Sequence, residues 1–331
     1  MTATSPRVLV TGATGLVGSH TVERLLMRGW DVTCLVRDPA RLRWLTGSNV
    51  RIIEGDCTLP GTIPPALDGV SAVIHAAGLT KARWAREYYE VNHLGTRNLL
   101  DACANAGNVV KKFVLVSSLA AAGPSLDGEP VKDTDTPRPV SDYGKSKLFA
   151  EQEAIRYRAR FPLVILRPSA VYGPRDRDMF ELFRWAAKGL FVKISGGERY
   201  LAPCYVEDLA DALVLAVEKD VLSGSIYFVS EDRPYSWSAF RDVLLRTGGV
   251  KARTVTIPYF AAYLMGLLSE AGGLLTGRPA LTNRQKVREA RQKHWIGDVG
   301  KIGRELGFQS AIPLEQGFAR TWKWYREQGW I

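Results

Sequence analysis

Apolar and polar residues follow two different rhythms through the first half of the chain. Short runs rich in β-branched residues predict strands, and longer amphipathic patterns between them predict helices. This alternation is typical of an α/β fold in which a doubly wound parallel sheet is covered on both faces. The predicted strands are Arg7–Thr11, Asp31–Val36, Val50–Glu54, Ala72–His75, Lys112–Ser117 and Leu163–Arg167. The predicted helices are Gly18–Arg28, Glu87–Ala106 and Tyr143–Arg158, with a further helical turn begun by Asp38 as N-cap and Pro39.

After Pro168 the pattern is mainly helical. The elements predicted there are helices at Met179–Gly189, Val206–Val217, Ser236–Thr247, Pro258–Leu275 and Leu314–Gln328 and one strand at Ser225–Val229. We therefore expect two domains. Residues 1–172, to which residues 203–230 return, form the sheet domain, and residues 173–202 and 231–331 form a smaller, mostly helical domain.

Composition excludes several classes of protein. Lys and Arg number 44 against 34 Asp and Glu, so the formal net charge is +10, but the basic residues are scattered and do not interleave with aromatics. Nucleic acid is therefore not an expected partner. Four widely spaced cysteines without a CxxC pair indicate a reducing compartment, and we expect a cytoplasmic protein. The four histidines share no metal-ligand spacing, and no metal site is predicted.

One apolar stretch, Thr256–Leu275, comes nearest to a membrane span. Pro258, Glu270, Gly272 and Gly273 interrupt it, so it is a poor match to a spanning helix. We expect a buried or interfacial helix pair instead, which leaves peripheral contact with a membrane as an open alternative.

Three glycines follow the first predicted strand in the run Thr11-Gly-Ala-Thr-Gly-Leu-Val-Gly18. The first glycine permits a tight turn, the second lets the backbone approach a pyrophosphate, and the third lets the helix pack closely on the strand. The helix N-terminus then offers N–H groups and a partial positive charge to phosphates. The run predicts a Rossmann-type dinucleotide site. The residues expected there are Gly12, Thr14, Gly15, Leu16 and Val17.

The end of the second predicted strand, Val36-Arg-Asp-Pro39, bears on the choice of cofactor. An acid here typically binds the ribose of NAD, whereas an arginine accommodates the additional phosphate of NADP. Because Asp38 is expected to cap a helical turn, Arg37 favours NADP, with NAD as the alternative. Asp56 is a candidate partner for adenine. Other cofactor contacts are expected at the ends of the third, fourth and sixth strands, at Cys57, Ala76, Ala77, Gly78, Pro168, Ala170 and Val171.

Ser118, Tyr143 and Lys147 form the second constellation. Tyr143 and Lys147 are four residues apart at the start of a helical pattern, so they share one helix face. Tyrosine is a weak acid with a pKa of about 10, and a nearby ammonium is expected to lower the pKa of Tyr143 so that it exchanges a proton near neutral pH. Ser118 ends the fifth strand, at the sheet edge where ligands bind. The three residues predict an acid–base site that also contacts the cofactor through Tyr143 and Lys147.

These motifs resemble the extended short-chain dehydrogenases/reductases of the NAD(P)-dependent epimerase/dehydratase family. The resemblance covers nearly the whole chain. It rests on the glycine run and on Gly55-Asp56, His75–Gly78, Val91-Asn92 with Gly95-Thr96, Val116–Ser118, Tyr143–Lys147 and Arg167–Pro174. It implies that Tyr143 is the acid/base, that Lys147 is its electrostatic partner and that Ser118 orients the substrate oxygen. It further implies that Asn92 supports the lysine through water or backbone, and that a homodimer forms through the helices at 87–106 and 143–158.

Three departures narrow the branch of the family. The chain has Ser118-Leu-Ala120 where family dehydratases carry Thr-Asp-Glu, so dehydration is disfavoured. Ala170 stands where sugar-nucleotide members often carry an asparagine, and Ile257–Leu268 is apolar enough to line a substrate pocket. With Val36–Pro39, these features are similar to 3β-hydroxysteroid dehydrogenases and dihydroflavonol reductases. That similarity implies NADPH-dependent reduction of a ketone on a bulky apolar small molecule.

Two alternatives stay open. A nucleoside-diphosphate-sugar epimerase working through a transient keto intermediate would use the same acid–base residues, with Arg175, Arg177 and Arg199 as candidates to bind the diphosphate. A redox sensor or scaffold that binds NADP(H) without turnover is the third hypothesis. The intact Ser118, Tyr143 and Lys147 set argues against that hypothesis, because a binding protein needs no such acid.

Overall fold

A computed structural model describes residues 5–107, 110–276 and 283–331. The strands are β1 Arg7–Thr11, β2 Asp31–Val36, β3 Arg51–Glu54, β4 Ala72–His75, β5 Lys112–Val116, β6 Leu163–Pro168, β7 Val171–Tyr172, β8 Leu190–Ile194, β9 Tyr200–Leu201, β10 Cys204–Tyr205, β11 Ser225–Val229, β12 Tyr235–Ser236, β13 Arg253–Ile257 and β14 His294–Trp295. The helices are α1 Leu16–Met27, α2 Ala85–Tyr88, α3 Gly95–Asn105, α4 Leu119–Ala122, α5 Asp142–Arg156, α6 Phe180–Ala187, α7 Val206–Glu218, α8 Trp237–Gly248, α9 Tyr259–Thr276, α10 Arg284–Arg291, α11 Gly300–Leu306 and α12 Leu314–Glu327. A π-helical segment, Tyr89–Leu94, joins α2 to α3.

Seven parallel strands form the main sheet in the order β3-β2-β1-β4-β5-β6-β11. Neighbouring side chains on a strand point to opposite faces, so Val8 and Val10 pack in one core with α7, while Leu9 packs in a second core with α3 and α5. The order of the strands reverses between β1 and β4. The carboxyl ends of β1 and β4 therefore border the crevice in which doubly wound sheets bind ligands.

Residues 206–229 form α7 and β11, which lie with the main sheet. α7 packs against α1, and β11 pairs in parallel with β6 along its whole length. The other C-terminal elements enclose a third core that is rich in aromatic side chains, including Phe183, Phe240, Phe318 and Trp322. The residue that marks the boundary between the two domains stays a prediction.

The strands predicted in the first half are all present, and most of the predicted helices are confirmed with shifts of a few residues at their ends. The helix predicted at Glu87–Ala106 is interrupted, because its residues form the end of α2, the π-helical segment Tyr89–Leu94 and α3. α1 begins at Leu16, two residues before the predicted start, because Gly15 is its N-cap. Asp38 caps the next turn as expected, since the Ala40 N–H donates to its carboxylate at 3.0 Å. The parallel ribbon of β8 and β13, and the helices α10 and α11, were not predicted.

α9 is most of the apolar stretch that the sequence singles out. The expected helix pair is wrong, because Thr256 and Ile257 belong to β13 and the residues from Tyr259 onward form one continuous helix. Within the ranges that the structure describes, no helix has the length and apolar character needed to cross a membrane. One side of α9 packs inward through Ala262, and the other side is exposed at Phe260 and Leu268.

A buried polar chain ties β1 to β4 and to the helix beside them. His75 has Thr11 Oγ1 at 2.6 Å from Nδ1 and Thr96 Oγ1 at 2.9 Å from Nε2. Thr96 donates its own proton to the carbonyl of Asn92. Burial lowers the pKa of His75 to about 3, so the ring is neutral, and this pattern of partners places its proton on Nε2.

A buried ion pair fastens α5 to the sheet. Arg167 on β6 donates from Nε and Nη2 to the two carboxylate oxygens of Glu151, at 2.9 and 2.7 Å, and Ser117 donates to the same carboxylate. The side chains of Arg167 and Glu151 are 2% and 3% exposed, so each charge relies on its partner instead of on water.

Replacing Glu151 with alanine is expected to lower the free energy of unfolding by about 3–5 kcal/mol, because the Arg167 charge is left buried without its partner. Urea unfolding followed by circular dichroism measures this change. Glu315→Ala is the matched control, since its pair with Arg246 is 3.1 Å long but about 60% exposed, and its loss should cost less than about 1 kcal/mol. Equal destabilisation by the two variants would contradict the importance of the buried pair.

Candidate active site

The glycine run forms a cradle at the start of α1. Gly12 has a φ of +69°, and a Cβ there would lie 2.6 Å from the backbone nitrogen of Ala77. A Cβ on Gly18 would lie 2.2 Å from the Gly12 carbonyl oxygen, so α1 packs as closely on the turn as predicted. The first N–H groups of a helix have no partner within the helix, and no described side chain caps this end. The backbone of Thr14, Leu16 and Val17 therefore surrounds a place suited to phosphates.

The residues expected to hold the adenosine half lie beside this cradle. Arg37 is exposed at the end of β2, and the Asp38 carboxylate is occupied by the cap and by Arg41 at 3.1 Å. Asp56 follows β3, and Thr58 donates to its Oδ1 through both N–H and hydroxyl, at 2.8 and 2.9 Å. Cys57 is buried beside it, and burial raises the pKa of its thiol to about 12. Cys57 is therefore a neutral packing residue.

The segments expected under the nicotinamide half follow β4 and β6. Ala76 and Ala77 pass over Gly12, and a Cβ on Gly78 would lie 3.5 Å from Lys147 Nζ. Pro168 ends β6, Ala170 accepts a hydrogen bond from the Cys204 N–H at 3.0 Å, and Val171 pairs with Cys204. Together these residues line the carboxyl edge of β4 and β6, as the sequence analysis expected.

Ser169 is a polar residue that the sequence analysis passed over. Its hydroxyl oxygen is buried and has no hydrogen-bond partner among the described residues. Buried hydroxyls ordinarily have a partner. A bound dinucleotide lying along this edge would provide one, so the chain fits such a cofactor both at the glycine cradle and at Ser169.

The Ser118, Tyr143 and Lys147 side chains come together at the ends of β5 and β6. Ser118 caps the short helix α4 by accepting from the Ala120 N–H, and its hydroxyl lies close enough to the Tyr143 side chain to lower the pKa of that phenol. Lys147 lies one turn after Tyr143 and is 6% exposed. Its ammonium donates to the carbonyl of Val116 at 2.6 Å. Two elements that are far apart in sequence, β5 and α5, therefore deliver the three groups to one place.

The pKa of Tyr143 differs from the sequence expectation. Burial raises the pKa of this phenol, and the nearby Ser118 hydroxyl and the charge of Lys286 only partly oppose the rise. The prediction that Lys147 lowers the pKa of Tyr143 toward neutrality is therefore wrong for this structure. Burial also lowers the pKa of Lys147, to about 8, although Glu151 opposes this change. Tyr143 is thus protonated at neutral pH, which suits a proton donor.

The cation that faces Tyr143 is Lys286, a residue of α10 that the sequence analysis missed. Its ammonium lies 5.3 Å from the centre of the Tyr143 ring, an arrangement that favours a cation. It also donates to Glu289 at 2.9 Å, and Ser141, the N-cap of α5, donates to the other oxygen of Glu289 at 2.5 Å. α10 is therefore attached to the start of the helix that carries Tyr143. A basic stretch 143 residues away in the chain carries no local signal of this contact.

Asn92 lies in the π-helical segment and is buried. Its side-chain oxygen accepts from the Leu79 N–H at 2.7 Å, and its amide donates to the Leu79 carbonyl and to Ser146 Oγ at 3.1 and 3.0 Å. It therefore joins the loop after β4 to the residue before Lys147. A water-mediated contact with Lys147 itself stays a prediction.

The three arginines proposed for a diphosphate have other partners. Arg175 donates to Ser19 and Glu23 on α1, at 3.1 and 2.5 Å. Arg177 lies over the ring of Trp330, and Arg199 donates to backbone carbonyls, at 2.8 Å for Ile194 and 2.9 Å for Ser195. Binding a diphosphate with these side chains would require breaking such contacts.

Comparison with known proteins agrees with this geometry. The model of the NAD dependent epimerase/dehydratase family matches residues 8–230. The chain is 33% identical over 326 residues to the ceramide reductase of Caulobacter vibrioides, covering 98% of this chain and 96% of that protein. It is 29% identical to the sterol-4-alpha-carboxylate 3-dehydrogenase of Candida albicans, covering 97% of each. Among solved structures it is similar to MoeE5 in complex with UDP-glucuronic acid and NAD, with 28% identity, a TM-score of 0.78 and coverage of 97% of this chain and 99% of that one.

The sheet, the glycine cradle and these similarities define an NAD(P)-dependent oxidoreductase. The chain belongs to the NAD-dependent epimerase/dehydratase family.

We expect the oxidoreductase activity to fall as pH rises through about 8. A lysine is charged below its pKa, so lowering the pKa of Lys147 from 10.5 to about 8 means that its charge is lost over this range. Tyr143, whose pKa is raised, is still protonated there. The profile of kcat/KM against pH measures the fall, and Lys147→Arg, which stays charged, should keep its own plateau to higher pH. An alkaline fall at the same pH in both proteins would contradict the assignment to Lys147.

Proposed function

We propose that the chain reduces a ketone on a bulky apolar substrate to a secondary alcohol, with NADPH as the favoured cofactor. The observation that carries the proposal is the meeting of Ser118, a protonated Tyr143 and Lys147 at the sheet edge next to the glycine cradle. The substrate class is supported by the names of the relatives, which act on ceramide and on a sterol, and by Ala170 in place of a polar side chain.

Each residue has a role in this reaction. When bound, the nicotinamide dinucleotide supplies the hydride for the ketone carbon. The hydroxyl groups of Ser118 and Tyr143 hold the ketone oxygen, and Tyr143 donates its proton as negative charge develops there. An ammonium has three N–H donors. Lys147 uses one of its three N–H donors for the Val116 carbonyl. The positive charge of Lys147 stabilises the negative charge left on Tyr143 after the proton is donated.

The environment of Tyr143 suits the proton donation that reduction of a ketone requires. A phenol with a raised pKa holds its proton at neutral pH, so the free protein is ready to donate and not to abstract a proton. Lys286 over the Tyr143 ring and Ser118 beside its hydroxyl limit the rise in the pKa of Tyr143. Both groups therefore stabilise the phenolate that forms when Tyr143 donates its proton.

A sugar-nucleotide epimerase is the second candidate. It is supported by the likeness to MoeE5, whose complex contains UDP-glucuronic acid and NAD. The contacts of Arg175 and Arg199 within the chain oppose it, because these side chains already donate to Glu23 and to backbone carbonyls. We therefore place it behind the reductase.

Tyr143→Phe is expected to lower kcat for reduction of bulky apolar ketones by about 100- to 10,000-fold, since it removes the proton donor. Loss of NADPH absorbance with a panel of such ketones measures turnover. Tyr157→Phe at the far end of α5 is the matched control and should stay within about twofold of the parent. If no ketone is reduced and UDP-sugars are converted without a net absorbance change, the reductase proposal is contradicted and the epimerase proposal is supported.

Arg37→Ala is expected to raise the Kd for NADPH by about tenfold or more, because it removes a charged donor to the ribose phosphate. The Kd for NADH should change little. Cofactor fluorescence measures both constants. Arg41→Ala, an exposed arginine of the next turn, serves as the control. Equal weakening of NADPH and NADH by Arg37→Ala would contradict a phosphate-specific role.

A further inference from the structure

The outer side of α9 carries a concentrated apolar surface. Five side chains there are between 40% and 74% exposed, and we call them the α9 patch: Phe260, Leu264, Met265, Leu267 and Leu268. Every exposed position between Phe260 and Leu268 is apolar. The described chain has sixteen exposed large hydrophobic side chains, and five of them lie in these nine residues. Scattered exposed apolar residues are ordinary, but a contiguous patch marks a contact surface.

The opposite side of α9 holds the helix in place. Ala262 is buried, and Gly266 packs so closely on the backbone of Asn283 and Arg284 that a Cβ would lie 3.0 Å from the Arg284 nitrogen. Glu270 accepts from the Arg284 side chain at 2.8 Å. The patch is therefore presented outward on a helix that α10 supports from behind.

The surroundings of the patch are strongly basic. Residues 251–276 and 283–293 contain seven Lys and Arg against two Glu, which is half of the net charge of +10 carried by the whole chain. The Arg291 guanidinium lies 4.6 Å from the centre of the Tyr259 ring, so the basic helix α10 lies alongside the start of α9. Three further basic residues, Lys251, Arg253 and Lys293, are exposed on neighbouring segments. Lys251 precedes and Arg253 begins β13, the strand that leads into α9, and Lys293 follows α10.

Apolar side chains bordered by positive charge match one kind of surface. An anionic bilayer accepts apolar groups below its headgroups and attracts Lys and Arg at them. A second copy of the chain fits less well, because a two-fold contact through this face would bring the two basic borders together. We propose that the α9 patch inserts into the surface of an anionic lipid bilayer, with the surrounding basic residues against the headgroups.

The location of the patch also links it to the reaction. α10, which supports the patch, is the helix whose Lys286 lies over the Tyr143 ring. A cavity of about 410 Å³ lies between α5, α9 and α10, with Asp142, Tyr263 and Arg288 in its lining. The bilayer would then be the source of a lipid-like ketone, a part of the inference that rests on the proposed function.

Flotation of the full chain with vesicles tests the proposal. The vesicles are phosphatidylcholine alone and phosphatidylcholine with about 30 mol % phosphatidylglycerol. The patch variant carries Phe260→Ser, Leu264→Ser and Met265→Ser. Its control carries Met27→Ser, Leu126→Ser and Leu222→Ser, which are 70–81% exposed elsewhere. The charge variant carries Lys251→Gln, Arg253→Gln and Lys293→Gln, with Arg97→Gln, Arg160→Gln and Lys323→Gln as its control.

The parent chain and both controls should float with the anionic vesicles, and less with phosphatidylcholine alone. The patch variant should bind more than about tenfold less tightly, and the charge variant about fivefold less for each charge removed. Salt at about 1 M should weaken the binding of the parent chain to the anionic vesicles. A parent chain that floats with neither vesicle, or a patch variant that binds like the parent, would overturn the proposal. Loss of a dimer in the patch variant without any effect on flotation would assign the patch to a second copy.

An assay with a detergent-soluble ketone separates this inference from the proposed function. Phe260, Leu264 and Met265 are exposed and do not line the cavity between α5, α9 and α10, so they are not the part of Ile257–Leu268 that could line a substrate pocket. The patch variant should therefore keep parental kcat on a soluble substrate and lose activity only on substrate held in vesicles. If no ketone is reduced, the proposed function fails, but flotation still shows whether the α9 patch binds an anionic bilayer. Circular dichroism and thermal unfolding confirm that each variant is folded.

Discussion

Two buried polar residues, one helical turn apart, hold α5 against the sheet, and the candidate site depends on them. Lys147 donates to the Val116 carbonyl at the end of β5, and Glu151 pairs with Arg167 on β6 and accepts from Ser117. Both are charged groups in a poorly solvated place, so each is stable only with its partners. Tyr143 lies one turn before Lys147 on the same helix face. Fixing the helix at these two points therefore fixes the position of the phenol relative to Ser118.

The same constraint explains why the site is assembled at the edge of a parallel sheet. The strands β1, β4, β5 and β6 all end at this edge, and they bring the glycine cradle, Gly78, Ser118 and Ser169 together from four separate parts of the chain. α10 then completes the surroundings of Tyr143 from the C-terminal side. Through Glu289, the cation over the phenol is connected to Ser141, the N-cap of α5.

Much of this could be predicted from the sequence, because the relevant signals are local. The strands of the main sheet are apolar, β-branched runs. Gly12, Gly15 and Gly18 indicate the tight turn between β1 and α1, because they carry no side chains. β8 and β13 were missed because they form a separate two-stranded ribbon in which only Phe191 is fully buried, so neither strand has the buried pattern of the main sheet. Lys286 and the pKa of Tyr143 could not be predicted, since both depend on burial and on a contact across the chain that no local spacing encodes.

The central claim is that the chain transfers hydride to a ketone carbon while Tyr143 donates the proton. The measurement that tests it most directly uses NADPH carrying deuterium at the transferable position of its nicotinamide, with a bulky apolar ketone and mass spectrometry of the product. We predict an alcohol with deuterium on the carbinol carbon and none elsewhere. An alcohol free of deuterium, or an epimerised sugar nucleotide formed without consumption of the labelled cofactor, would contradict the account.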